Sequence, residues 1–480
     1  MSGIKREIKT VNFGTISQDI AKKKNEVIEA VPNDFDPTTI IVLDEYEQIL
    51  DFVNRKGSVM FLTGKAGTGK STAIKYVKYK VPKSVVIAPT TIAAENVKGS
   101  TIHSFFGFPP RIFNPEDIKV PKSKVSIIQN LDLLIADEVS MVSSALVDAM
   151  DIALKQTKNN NKPFGGIPIL FVGDLFQLPP IVENEEIRKY FSGAEERYDS
   201  EFFFSADIFK KVSAEPLELQ IVRRQDQNAN ENNKRLVDAL NSIRTGKDNI
   251  FEQIEFLNKK CFKEKQEDSF ENAITLVPSK AKAKSVNKDN IESIIAKSRM
   301  YKGRLKNLTS EDIKRFQAPD ELELKVGAQV VFVNNNKPGW MNGDLGTVTA
   351  MHDNVIEVKI HKAGYVRDVG RSEFGKYRYR YNKDKQKIEV ELVGKFIQFP
   401  LALGWAITIH KSQGMTLEKA IIDIDGNAFA EGQTYVALSR VKSIEGLKLG
   451  SPLEYGDIKV NKSILEFYSR VFPENYSFKK

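Results

Sequence analysis

Short apolar runs, each closed by a polar or glycine-rich segment, punctuate the first half of the chain. Val59-Met-Phe-Leu62, Ser84-Val-Val-Ile-Ala88, Leu131-Asp-Leu-Leu-Ile-Ala136 and Pro168-Ile-Leu-Phe-Val172 are of this kind. Runs this short and this apolar predict strands covered on both faces. Between them the apolar spacing becomes that of helices, as from Tyr46 to Asn54 and from Ala73 to Lys80. Strands alternating with helices predict an α/β unit built on a parallel sheet. A periodic segment from Leu236 to Ile243 and apolar runs at Asn272–Pro278, Ala420–Ile424 and Gly446–Leu449 predict a second unit of the same kind.

From Asn342 to Phe399 the texture changes to alternating short strands with turn residues, the pattern of a small inserted β-barrel. Within it, Tyr377-Arg378-Tyr379-Arg380-Tyr381 puts three tyrosines on one face and two arginines on the other. One reading is a strand that meets nucleic acid through rings or guanidiniums. The preferred reading is a barrel strand with half-buried tyrosines and solvated arginines. Met1 to about Asp36 has little apolar periodicity and reads as an arm.

Composition narrows the classes. No apolar run reaches the roughly 18 residues of a membrane span, so no membrane partner is expected. A net charge of +8 and a pI near 9.0 suit a polyanionic partner such as nucleic acid. The single cysteine, Cys261, excludes an internal disulfide and leaves no credible zinc site. It suits a reducing compartment, and the expected location is cytoplasmic: nucleoid-associated, or host cytoplasm if the gene is phage-borne.

The chemistry gathers at the ends of the apolar runs. Gly64-Lys65-Ala66-Gly67-Thr68-Gly69-Lys70-Ser71 lies between a strand and a helix and fits the P-loop pattern. Its glycines let the backbone wrap phosphate, and the helix start adds partial positive charge. Gly64, Ala66, Gly67, Thr68, Gly69, Lys70, Ser71 and Thr72 are the expected ATP-binding residues. Lys70 would reach the β- and γ-phosphates, and the Ser71 hydroxyl would bind Mg²⁺. Asp137-Glu138 closes the third apolar run; Asp137 would hold Mg²⁺ and Glu138 would orient or deprotonate the attacking water. Gln177, past the fourth run, is a candidate γ-phosphate sensor. Gln48 stands just upstream of the first strand, and a glutamine amide can pair with adenine N6 and N7 together.

In order along the chain, these segments resemble the superfamily-one DNA helicases, in the branch of the Pif-type, RecD and phage Dda helicases. The matching stretches are Gly64–Ser71, Ala88–Thr91, Thr101–Phe106, Asp137–Met141, Gly173–Pro180, Arg224-Gln225, Ala406–Gly414 and Tyr435–Arg440. The likeness spans about Leu43 to Gly450, and Phe164 to Pro180 looks most like the Pif-type members.

The resemblance implies an α/β fold of two RecA-like P-loop domains with parallel sheets, a small wedge insertion and an SH3-like β-barrel insertion. The implied boundaries are an arm at 1–40, a first domain at 41–215 with the wedge at 107–123, a second domain at 216–341 and 400–480, and the barrel at 342–399. Gln48 matches the adenine-reading glutamine. Arg224 and Arg440 match the arginines that the second domain points at the γ-phosphate. Thr90, Thr91, His103, Thr408, His410 and Lys411 match loops lining a single-strand channel. In the wedge, Phe108 and Phe113 would stack on the last base pair, with Arg111 on a phosphate; packing onto the first domain is the competing reading. The implied activity is ATP-driven 5′-to-3′ movement on single-stranded DNA with unwinding of forked or tailed duplex, by a monomer. A non-unwinding translocase or a RecD-like subunit of a larger complex is the alternative.

Overall fold

The strands and helices follow the alternation that the apolar spacing predicts. The computed structural model describes residues 36–37, 40–109, 118–180, 198–220, 231–246, 249–262, 270–336, 339–424 and 430–476. The first unit contains α1 (Asp44–Val53), β1 (Val59–Gly64), α2 (Lys70–Lys80), β2 (Ser84–Ala88), α3 (Thr91–Asn96), β3 (Ser100–Thr101), α4 (Ile102–Phe106), α5 (Lys122–Gln129), β4 (Leu133–Ala136), α6 (Ser144–Lys158), β5 (Ile169–Val172) and β6 (Ala214–Leu219). Its strands form one parallel sheet in the order β3-β2-β4-β5-β1-β6. Every residue of β1, β2, β4 and β5 is buried, which is why these strands read as continuous apolar runs.

The expected boundary at 215 moves outward. Pro216 to Leu219 continue β6 alongside β1, so they belong to the first unit. β6 is an edge strand and half-exposed, and Glu215, Pro216 and Glu218 hide it from an apolar-run search.

The second unit opens with α7 (Glu231–Thr245), α8 (Ile250–Cys261), β7 (Ile274–Val277) and α9 (Lys280–Ser293). The insertion follows: β8 (Arg299–Lys302), β9 (Arg304–Lys306), β10 (Glu321–Leu324), β11 (Gln329–Phe332), β12 (Leu345–Met351), β13 (Val355–Ile360), β14 (Val366–Gly370), β15 (Ser372–Asn382), β16 (Lys387–Gln398) and β17 (Leu401–Leu403). The chain then returns through β18 (Ala406–Thr408), β19 (Ala420–Ile422), α10 (Gln433–Leu438), β20 (Leu447–Leu449) and α11 (Lys462–Val471). The second parallel sheet has the order β18-β7-β19-β20. Antiparallel pairing runs from Arg299 to Leu403, wider than the expected 342–399. Asn342-Gly343 is the turn between β11 and β12 rather than the way in, with Gly343 N–H donating to Phe332 O.

The long β15–β16 hairpin leans on the first unit. Tyr379 is buried there, and its hydroxyl serves both backbone groups of Val86, accepting from N–H at 3.0 Å and donating to C=O at 3.1 Å. β3 pairs with β2 only from Ile87 onward, so the Val86 N–H would otherwise be bare. The ring meets Phe105 edge-on at 6.1 Å. The arginine face turns outward, where Arg378 and Arg380 share Glu391 of β16 at 2.9 and 3.0 Å. The reading with buried tyrosines therefore holds, but Tyr379 is buried by the first unit and not by the barrel.

Candidate nucleotide cleft and nucleic-acid path

β1 ends at Gly64, and the backbone turns through residues 65–69 into α2. A Cβ on Gly64 would stand 2.7 Å from both Leu219 O and Thr68 Oγ1, so the tight turn admits no side chain. Gly69 begins the helix in the left-handed region, at φ 102°, with no side-chain cap. The first N–H groups of α2, those of Lys70 and Ser71, are thus left for an anion, while Thr72 N–H already donates to Gly69 O at 2.9 Å. Lys70 donates to two carbonyls of its own loop, Gly64 O at 2.6 Å and Lys65 O at 3.0 Å. Burial lowers its pKa, while Asp174, Glu138 and Asp137 pull the other way. Gln48 is exposed on α1, and that helix is tied to the loop by Tyr46, whose hydroxyl donates to Gly69 O at 3.4 Å.

Asp137 and Glu138 follow β4 side by side. Glu138 takes a left-handed backbone, φ 51°, and its N–H donates to Asp137 Oδ1 at 2.9 Å. Burial, with the neighbouring Glu138, pushes Asp137 up to about 7; burial raises Glu138 as well. Two neighbouring carboxylates, Asp137 buried and Glu138 half-buried, are a donor set that fits a divalent cation. Among the described residues no group of three or more His, Cys, Asp or Glu would hold a metal alone. Asp137 and Ser71 would therefore share Mg²⁺ with phosphate and water oxygens.

Gln177 is buried after β5 and joins a chain of contacts that crosses the cleft. Its Nε2 lies 3.5 Å from Asp174 Oδ2, and its Oε1 lies 3.5 Å from Gln413 Nε2 of the second unit. Gln413 Nε2 also donates to Glu138 Oε2 at 3.2 Å. Asp174 accepts from Arg244 Nε at 3.0 Å and Nη2 at 2.9 Å, and from the Tyr435 hydroxyl at 3.1 Å. Burial alone would raise the Asp174 pKa, but the charges of Arg244 and Lys70 win and hold it below the usual carboxylate value. The same Tyr435 oxygen accepts from Ala66 N–H of the P-loop at 3.1 Å. Gly432, just before α10, lets the units close: a Cβ there would sit 2.3 Å from Phe176 O.

Asp174, Arg244, Gln413 and Tyr435 are absent from the sequence-derived site. Arg244 follows a periodic helical run, where an arginine reads as solvent-facing. Tyr435 and Gln413 lie inside recognised segments, but only the meeting of the two units gives them partners.

The nucleic-acid candidates occupy loops at the carboxyl ends of both sheets. Thr90 and Thr91 follow β2; His103 lies on α4; His410 and Lys411 follow β18. The Thr90 hydroxyl accepts from Ala93 N–H and caps α3. Thr408 is buried, and its hydroxyl accepts from Lys411 N–H at 3.3 Å. Partial burial, and after it the charge of Lys280, lower the pKa values of His410 and Lys411.

A protein-family model described as PIF1-like helicase matches residues 43–254. The ATP-dependent DNA helicase Pif1 of Psychrobacter sp. is 30% identical over 82% of this chain, which spans 66% of that relative. A crystal structure of Bacteroides sp Pif1 in complex with ADP-AlF4 is 32% identical, with a TM-score of 0.80 over 92% of this chain and 99% of the other. The chain belongs to the PIF1-like helicase family. The Bacteroides Pif1 bound to ssDNA, also 32% identical, matches 92% of this chain and 100% of the other with a TM-score of 0.61.

Against that membership, three expected roles stand differently. Phe108 does not offer its ring to DNA: it is 6% exposed and stacked on Phe106, centroids 5.0 Å apart at 9°. The segment after α4 turns at Gly107 and tucks this ring into the first unit's core, so the wedge role for Phe108 is overturned. Arg224, Arg111 and Phe113 lie outside the described residues. Arg440 of this PIF1-like helicase is buried and folded back on its own helix, with Nε donating to Val436 O at 2.8 Å and Nη2 to Ser439 Oγ at 2.8 Å. Its charge nonetheless reaches Glu138 and favours the ionised carboxylate.

Proposed function

We propose that this protein is an ATP-dependent DNA helicase that moves 5′ to 3′ on single-stranded DNA and unwinds forked or tailed duplex. The observation that carries this is the cleft itself. It sets Lys70, Asp137, Glu138 and Gln177 of one unit against Gln413, Tyr435 and Arg440 of the other, directly behind the loop holding His410 and Lys411. The P-loop amides and Lys70 hold the phosphates. Mg²⁺, held by Ser71 and Asp137, neutralises phosphate charge when bound. Glu138 orients the attacking water and takes its proton. Arg440, joined by Arg224, swings from its own helix to the transferring phosphoryl group. Each turnover then opens or closes the cleft and shifts the two DNA loops against each other.

The relatives support this reading. The Psychrobacter protein carries the name ATP-dependent DNA helicase, and Bacteroides Pif1 has been crystallised with ADP-AlF4 and bound to ssDNA. We further propose that the active form is a monomer and that it works in the cytoplasm, at the nucleoid or in a host cell.

Strand displacement on DNA and RNA duplexes with 5′ or 3′ tails tests the proposal. The expected result is ATP-dependent release of the 5′-tailed DNA strand. DNA-stimulated ATP hydrolysis without any release would make the protein a non-unwinding translocase instead.

A further inference from the structure

We infer that Gln413 is the positioning residue through which an occupied nucleic-acid path releases ATP hydrolysis, by letting go of Glu138. The inference deepens the helicase reading and rests on it.

Gln413 belongs to the loop that carries His410 and Lys411. That loop is a run of tight turns: Ser412 N–H donates to Thr408 O at 3.1 Å, Gln413 N–H to His410 O at 3.3 Å and Met415 N–H to Ser412 O at 2.9 Å. A segment bonded to itself this closely moves as one piece. A shift imposed at His410 or Lys411 therefore carries Gln413 with it.

At its other end Gln413 holds the catalytic centre. Its amide nitrogen has two hydrogens and two acceptors in reach, Glu138 Oε2 at 3.2 Å and Gln177 Oε1 at 3.5 Å. A general base needs a free lone pair aimed at the water it deprotonates. Here one Glu138 oxygen is spent on Gln413.

The other charged groups facing Glu138 come from elsewhere. Lys70 starts α2, Asp137 precedes Glu138 in the chain, Asp174 follows β5 and Arg440 follows α10. None of them lies on the Thr408–Gly414 loop. Gln413 joins the two sites in one side chain: it bonds to the base from the DNA loop, and drawn with that loop toward DNA it leaves the base to water.

The test uses the full chain with Gln413→Ala and Gln413→Met, the second keeping side-chain length without a donor. ATP turnover is measured at saturating ATP with no DNA and with saturating oligothymidylate, and DNA affinity and melting temperature are recorded beside it. The expected result is a several-fold rise in the DNA-free rate and a much smaller change in the DNA-saturated rate, so the stimulation ratio falls toward one. DNA affinity and melting temperature stay near wild type. If both rates fall together with the ratio kept, Gln413 serves nucleotide binding or folding and the inference is overturned. An unchanged DNA-free rate overturns it as well. A wild-type enzyme whose ATPase ignores DNA would remove the helicase reading, and this inference with it.

Discussion

The Arg244 guanidinium and the Asp174 carboxylate meet across the cleft at 2.9 Å, each almost wholly shut off from water. Phe176 lies under the guanidinium at 4.4 Å, and the Tyr476 hydroxyl accepts from Nη1 at 2.8 Å. Removing one partner leaves a buried, uncompensated charge. Arg244→Ala should therefore cost about 3–5 kcal/mol in denaturant unfolding, whereas Asp174→Asn with Arg244→Met should cost much less. The sign with pH follows from the depressed Asp174 pKa. The pair contributes above the ordinary aspartate value, about 3.9, and is lost as acid protonates the folded carboxylate. Equal losses in the single and double variants would show that the pair contributes little.

Glu138→Gln keeps Lys70, Ser71 and Asp137, so ATP should still bind with Mg²⁺. Steady-state hydrolysis should collapse, because an amide cannot accept the proton of the attacking water. Turnover near wild type, with binding measured alongside, would take Glu138 out of the base role.

Single-strand affinity should fall steeply as salt rises, since phosphate neutralisation releases counterions. Lys411→Ala should lower the slope of log affinity against log salt by about one and weaken all sequences alike. A titration with slope and affinity both unchanged would remove Lys411 from the path.

Tyr379→Phe deletes one oxygen and leaves the Val86 N–H without its partner. The loss should be about 1–3 kcal/mol, with faster hydrogen exchange at the Val86 amide. Exchange at Val86 as slow as in the wild type would mean that something else covers that edge.

Phe108→Ala should behave as a core deletion, costing about 3–5 kcal/mol. Unwinding per folded molecule should stay in step with single-strand translocation. Loss of unwinding alone, at an unchanged melting temperature, would restore the wedge role.

The parts of the fold nearest the phosphates are the most legible in the sequence. β1, β2, β4 and β5 are covered on both faces, so their burial is written as unbroken apolar runs, and Lys70, Asp137 and Gln177 fall at or just past strand ends as expected. Edges are less legible. β3 is a two-residue strand, and β6 is interrupted by Glu215, Pro216 and Glu218. Pairings between units are not legible at all. Arg244 and Asp174 are 70 positions apart and lie in different sheets' surroundings. Phe108 misleads because an aromatic ring among prolines looks the same whether it faces a base pair or its own core.

The Tyr379 contact also says something about how the molecule can be divided. A sheet edge closed by a neighbouring strand must be unzipped bond by bond; one closed by a single phenol comes free in one motion. Once free, the Val86 N–H is bare, and open edges recruit strands from other chains. A fragment cut at 41–220 would carry that bare edge into solution and is expected to self-associate along β2. The inserted hairpin thus acts in cis as a solubility cover for a sheet that it does not belong to.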